Sequence, residues 1–221
     1  MDSFVRRGDT GSDQPVAALS ESFVLREVHH RVANMLTLLA IGLRRELMPW
    51  RDTQIAGALA RHERQIVDLG ELYRLLGSSE NGERSTEGYF RPLLDSLFRA
   101  VLEPMGIRGE AYIVDGVLDA RQCGHLALIV TELVINAAKH AFRARGGSAV
   151  RVSLASMGTA WMCSVADDGG GIADPSARSG SQIVATLVGA LNGTMRIRSG
   201  GSGTLVSIAF PVPFVENENE S

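Results

Sequence analysis

The segment Glu27-Val28-His29-His30-Arg31-Val32-Ala33-Asn34 places an imidazole between a carboxylate and a carboxamide. On a helix, Glu27, His30 and Asn34 share one face, because positions three and four apart are neighbours. An imidazole that attacks phosphorus presents one bare nitrogen while an acceptor holds the other. Glu27 can be that acceptor, and Asn34 can orient the ring or the incoming group. Taken alone, the same pattern also describes an ordinary surface histidine.

Three further groups could hold a nucleotide. In Thr131-Glu132-Leu133-Val134-Ile135-Asn136-Ala137-Ala138-Lys139, the residues Glu132, Asn136 and Lys139 form a polar stripe beside the apolar face Leu126, Ile129, Leu133 and Ala137. Asn136 offers a neutral oxygen to Mg²⁺, Glu132 can hold a metal-bound water, and Lys139 can meet phosphate oxygens. The plain reading of that stripe is a solvated helix edge. Next, Asp167-Asp168-Gly169-Gly170-Gly171 sets a carboxylate before glycines at a strand end. Such a carboxylate can accept from the exocyclic amine of adenine, and glycines let a flat ring approach. The pattern is neither the dinucleotide fingerprint nor a phosphate loop, which needs Gly-Lys-Ser/Thr. Last come Gly180 at a helix start, where free N–H groups favour phosphate, and Gly203-Thr204 entering the final strand.

Around these groups the composition is that of a globular protein, with 45% hydrophobic and 21% charged residues. A net charge of −3 without a basic run disfavours nucleic acid as a partner. No apolar stretch approaches the roughly 20 residues of a membrane span, and the N-terminus lacks a signal core. Cys123 and Cys163 lack metal-ligand spacing and read as reduced thiols, which fits a cytoplasmic protein.

The elements that must position the chemistry follow from periodicity. Residues 1–19 read as a flexible lead-in. Leu25, Val28, Val32, Met35 and Leu39 lie on one helical stripe, capped by Ser20 or Ser22 and ending near Pro49. A second helix, capped by Asp52, has the seam Ile55, Leu59, His62, Ile66, Leu69, Tyr73 and Leu76. Together they form a hairpin over residues 20–78 with an apolar stripe uncovered. Pairing two hairpins into a four-helix bundle would cover it, which makes a homodimer the expectation; docking on the rest of the chain would also do so.

The polar stretch from Ser79 to Thr86 reads as a linker and domain boundary. Beyond it a helix is expected over Tyr89–Leu102, a strand over Ala111–Asp115, and one long helix over Asp119–Phe142 opened by a capping box of Asp119 and Gln122. Alternation then marks strands with inward Val150, Val152 and Leu154; Trp161, Cys163 and Val165; Met195 and Ile197; and Val206, Ile208 and Phe210. A helix over Gln182–Leu191 lies among them. The fold class is α+β: a helical hairpin followed by a sheet covered on one side, over residues 87–214. The acidic stretch 215–221 reads as disordered.

In this order the segments resemble bacterial two-component histidine kinases of the HRxxN class, related to the HWE kinases. His30-Arg31-Val32-Ala33-Asn34 is similar to that class's phosphoacceptor motif, and Glu132 to Phe142 to its N box. Asp167-x-Gly169-x-Gly171 is similar to the G1 box, Gly180 to the G2 glycine, and Gly203-Thr204 to the last nucleotide motif. The resemblance runs from about Phe23 to Pro211. It implies a dimerisation and phosphotransfer hairpin, then a Bergerat-type ATP-binding domain using ATP and Mg²⁺. It also implies phosphoryl transfer from His30 to an aspartate on a response regulator receiver domain, with any signal arriving through a separate sensor partner. By the same resemblance Asn136 binds Mg²⁺, Glu132 assists, Lys139 contacts phosphates and Asp167 reads adenine. The competing expectation is a histidine phosphotransferase or adaptor with a degenerate ATP-binding domain, since only Ile172 to Ser179 separates Gly171 from Gly180.

Overall fold

The computed structural model describes residues 29, 32–41, 43, 54–77, 82–141, 149–171 and 180–212. Outside them fall Glu27, His30, both proposed caps of the first helix, Pro49, Asp52, the segment 172–179 and both chain ends.

Helix α1, described over residues 32–41, runs beside α2 (Gln54–Gly77). They meet through small residues. Ala33 and Ala40 are buried, and a Cβ built on Gly70 would stand 3.6 Å from the Ala33 carbonyl. The stripe read on α1 points elsewhere: Met35 is 62% exposed and Leu39 56%. The α2 seam is half-buried where its side chains are described, apart from exposed His62, and the deepest apolar side chain of α2 is Leu72, which the seam omits. The reason is that α2 has two neighbours. It meets α1 at Gly70 and packs on α3 as well, so no single stripe carries all its contacts.

The polar stretch expected to be a linker is partly structured. Strand β1 (Glu83–Ser85) pairs antiparallel with β3 (Val117–Asp119). Ser85 then caps α3 (Thr86–Leu97), its hydroxyl accepting from the Gly88 N–H at 3.1 Å. α3 passes into an i→i+5 turn, Phe98–Leu102, and a short 3₁₀ turn, Glu103–Met105.

Next come β2 (Arg108–Ile113), starting three residues earlier than the periodicity suggests, and α4 (Ala120–Asn136). β4 (Ala149–Met157), β5 (Ala160–Asp167), α5 (Gly180–Ala190), β6 (Thr194–Gly200) and β7 (Gly203–Pro211) complete the described chain. The main sheet has the order β2-β4-β5-β7-β6, with β2–β4 parallel and the other pairs antiparallel.

Helices α3, α4 and α5 cover one face. The expected inward positions of β4, β5 and β7 are all buried, at 6% exposure or less. On the edge strand β6 the cover thins: Met195 is half-buried and Ile197 is 39% exposed. One continuous apolar core holds this sandwich, and Leu72 of α2 belongs to it. Burying each such large side chain stabilises by about 1.5–3 kcal/mol.

Candidate functional site

Of the three polar candidates, Glu132 and Asn136 lie on α4 and Lys139 lies beyond its end. Asp119 caps α4, its carboxylate accepting from the Gln122 N–H at 2.7 Å. The reciprocal half of a capping box is absent, since the Gln122 side-chain oxygen accepts no hydrogen bond from the described residues, while its NH2 donates to the Pro211 carbonyl at 3.2 Å. That bond ties the start of α4 to the end of β7. Glu132 and Asn136 are half-buried on the last turns of α4, and Lys139 is exposed.

The α-helix does not continue to Phe142. It ends at Asn136, and Ala137–Ala141 form an i→i+5 turn lying against β7. Such a turn holds more residues than an α-turn, so the step from Asn136 to Lys139 covers a smaller arc and Lys139 leaves the stripe. Hydrophobic periodicity cannot register this one-residue change. Turns of this kind recur at functional sites.

The second cluster sits where β5 ends and β7 begins, since Asp167 pairs with Thr204 across the sheet. Asp167 Oδ1 accepts from the backbone N–H of Gly169 at 3.0 Å and of Thr204 at 3.3 Å. Partial burial is the largest influence on this carboxyl and raises its pKa; the two N–H groups pull it down, and neighbouring Asp168 pushes it up. The Thr204 hydroxyl lies 3.1 Å from that of Ser199. Asp168 serves the backbone instead, its Oδ1 accepting from the Ala149 N–H at 2.9 Å and fastening the strand end to β4. Neither Ser199 nor the anchoring by Asp168 follows from the sequence patterns. The Asp-Asp doublet is the visible signal, but only the register decides which carboxylate faces β7.

Two glycines of the cluster are required by the backbone. Gly171 has φ +74°, and a Cβ there would fall 2.1 Å from the Gly200 carbonyl. Gly203 has φ +120°, and its Cβ would meet the Asp167 carbonyl at 1.9 Å. Both conformations belong to glycine, and both approaches seat the β6–β7 turn on the end of β5. Gly169 is buried, and Gly180 begins α5.

α4 starts beside Pro211, at one end of β7, and the turn that follows Asn136 lies against that strand, whose other end carries Thr204 opposite Asp167. On α1 the picture is partial. Asn34 is exposed, whereas His29 is 7% exposed with its ring centroid 5.9 Å from that of Tyr73. Both cysteines are buried, with thiols pushed up to about 12 by desolvation, so they stay protonated and inert.

A helical layer on a mixed sheet, with a strand-end carboxylate and a polar helix end at one rim, is the plan of a histidine kinase-like ATPase domain. A family model of that description matches residues 108–207, and a second, described as histidine kinase, matches residues 27–101. The chain belongs to the histidine kinases. It is 30% identical over 202 residues to the sensor histidine kinase PdtaS of Mycolicibacterium smegmatis, covering 87% of this chain and 40% of that protein. It is 28% identical over 216 residues to the blue-light-activated histidine kinase 2 of Erythrobacter litoralis, covering 91% of this chain and 60% of that one. The chain thus spans two-fifths to three-fifths of these relatives. The solved histidine kinase domain of the Erythrobacter litoralis EL346 blue-light activated kinase shares the fold, with a TM-score of 0.55 and 22% identity over 80% of this chain and 96% of that one. No helix among the described residues is long and apolar enough to cross a membrane.

Proposed function

We propose that this chain is the cytoplasmic kinase core of a two-component system, taking a phosphoryl group from ATP onto His30 and passing it to an aspartate of a response regulator receiver domain. The observation that carries the reading is the wiring of Asp167. A carboxylate fixed by two backbone N–H groups at a strand end is preorganised to accept from the adenine amine.

Around it, Gly171 lets the β6–β7 turn close on the end of β5, and Gly169 supplies one of the N–H groups that fix the carboxylate. Gly180, at the start of α5, offers backbone N–H groups to phosphate, and Thr204 lines the base side. Asn136 would hold Mg²⁺ through its amide oxygen, with Glu132 on a metal-bound water and Lys139 reaching phosphate. A single neutral ligand suits this ion, which keeps several waters and takes its other oxygens from phosphates. Mg²⁺ bound there would neutralise charge on the phosphates.

In the transfer, a His30 nitrogen forms a bond to the γ-phosphorus as the bond to the β–γ bridging oxygen breaks, and ADP leaves with that electron pair. Glu27 holds the proton on the other ring nitrogen and can accept it as positive charge develops; Asn34 orients the ring. Division into a hairpin over 20–78 and an ATP-binding unit over 87–214 accords with this use. Exposed Met35, Leu38, Leu39 and Ile41, each at least 56% exposed, support a homodimer closed through the hairpins.

Incubation with γ-labelled ATP and Mg²⁺ tests the reading. Acid-labile label is expected on the wild type and on neither His30→Ala nor Asn136→Ala. Label absent from the wild type, with transfer to His30 from a phosphorylated regulator, would instead make the chain a relay.

A further inference from the structure

Three strands meet at the Asp167 rim. Ser199 on β6 is the cross-strand partner of Thr204 on β7, and Thr204 is that of Asp167 on β5. All three side chains lie on the helix-covered face, because Ile197, Val206 and Val165, two positions along each strand, face that way. The turn beside them is fixed by backbone. Gly200 pairs with Gly203, and the close approaches at Gly171 and Gly203 hold that pair against the end of β5. Ser199 is thus carried to the site by the same glycines that shape it.

A hydroxyl has one proton to give and two lone pairs to receive. The Thr204 hydroxyl is 3.1 Å from that of Ser199 and close enough to the Asp167 carboxyl to act on it as a donor. Its one proton belongs on the carboxylate, since a charge-assisted bond is roughly twice as strong as a neutral one. Ser199 is then the donor of the hydroxyl pair, and the proton order runs from Ser199 to Thr204 to Asp167. Each bond in such a row polarises the next. The carboxyl has use for it, because burial and neighbouring Asp168 both oppose its ionised form. Only that form discriminates between bases. A carboxylate accepts from the exocyclic amine of adenine and repels the carbonyl oxygen that guanine carries there, whereas a carboxylic acid can donate to that oxygen. Both backbone N–H groups converge on Oδ1, which leaves Oδ2 to meet the base.

We propose that Ser199 is a positioning residue that acts through the Thr204 hydroxyl to keep Asp167 an acceptor, and so sets the choice of an amino purine over an oxo purine. This rests on the nucleotide reading of the same site. Thr204 is buried, so its hydroxyl depends on protein partners. Ser199 is exposed at the edge strand and closes the row on its outer side. Without the Ser199 hydroxyl, the Thr204 side chain loses the partner that selects its rotamer, and its proton is no longer directed at the carboxylate. The contacts of the phosphates and of Asn136 are untouched by that loss.

The test is calorimetric titration of the full chain, in Mg²⁺, with ADP and with inosine diphosphate, whose base carries a carbonyl oxygen in place of the amine. The chains compared are the wild type, Ser199→Ala, Ser199→Thr, Thr204→Val and Asp167→Asn. The wild type should prefer ADP. Ser199→Ala should weaken ADP about three- to tenfold, the scale of one net hydrogen bond, and leave inosine diphosphate unchanged. Thr204→Val should narrow the preference at least as far, and Ser199→Thr, which keeps the hydroxyl, should hold the wild-type ratio. Equal weakening of both nucleotides in Ser199→Ala would make Ser199 a structural residue of β6 and overturn the proposal. An unchanged ratio in Ser199→Ala, with the preference lost in Asp167→Asn, would also overturn it and leave the nucleotide reading intact. A wild-type preference kept in Asp167→Asn, or neither nucleotide binding to the wild type, would remove both readings together.

Discussion

The nucleotide rim and the hairpin interface are built on opposite principles. At the rim, Asp167 is held by main-chain donors, and glycines at 171 and 203 let backbone approach backbone where no side chain fits. Such a site changes little as substrate arrives, since its donors are fixed by the sheet register. At the hairpin, side chains on exposed helices make the polar contacts, and an apolar row on α1 faces outward. Contacts of that kind exchange readily for others. Rigidity therefore sits where charge must be positioned, while the hairpin joins the core through Leu72 and keeps its ion pair near the surface.

The strongest way to break this contrast is at the chemistry itself. His30→Ala should abolish label while leaving analogue affinity and the melting curve unchanged; a chain that unfolds would make His30 a core residue. Asn136→Ala should lower the rate by about 100-fold or more, the scale on which electrostatic transition-state groups act. Calorimetry with and without Mg²⁺ should show that it has lost the metal-dependent part of nucleotide binding.

Backbone substitutions come next. Gly171→Ala forces a Cβ against the Gly200 carbonyl at a positive φ, and should destabilise by about 1–3 kcal/mol. Denaturant titration should show that cost together with weakened nucleotide binding, because the β6–β7 turn would lift from β5. A comparable loss in stability with full affinity would separate the turn from the site.

A gentler probe is pH. Burial raises the Asp167 pKa above its ordinary 3.8, so the fold itself favours the protonated form. Stability from this group is full below that ordinary value and lost as pH rises through the folded pKa. Binding runs the other way, since only the carboxylate accepts from adenine without competition. Affinity for adenosine nucleotides should fall as pH drops through the raised pKa, a step that Asp167→Asn should lack.

Much of the ATPase unit was legible because its strands bury alternate residues, and Val150, Val152 and Leu154 or Val206, Ile208 and Phe210 can face only one way. The glycines near Asp167 were visible for a related reason, since few residue types tolerate those conformations. The hairpin was harder to read. α2 packs on two neighbours, so Leu72 fell outside the single seam, and Gly70, not a large residue, set the approach of α1. The turn after Asn136 left no periodic trace, and β1 was hidden in a polar stretch, because a three-residue strand is held by backbone bonds that side-chain types do not report.

The central claim is that the Asp167 rim delivers phosphate to one imidazole. Mass-spectrometric localisation of the phosphoryl group, after incubating the wild type with ATP and Mg²⁺ at neutral to alkaline pH, measures this directly. Phosphohistidine at His30 is the expected result. A phosphoryl group on any other residue, or none on a chain that binds ATP, would contradict it.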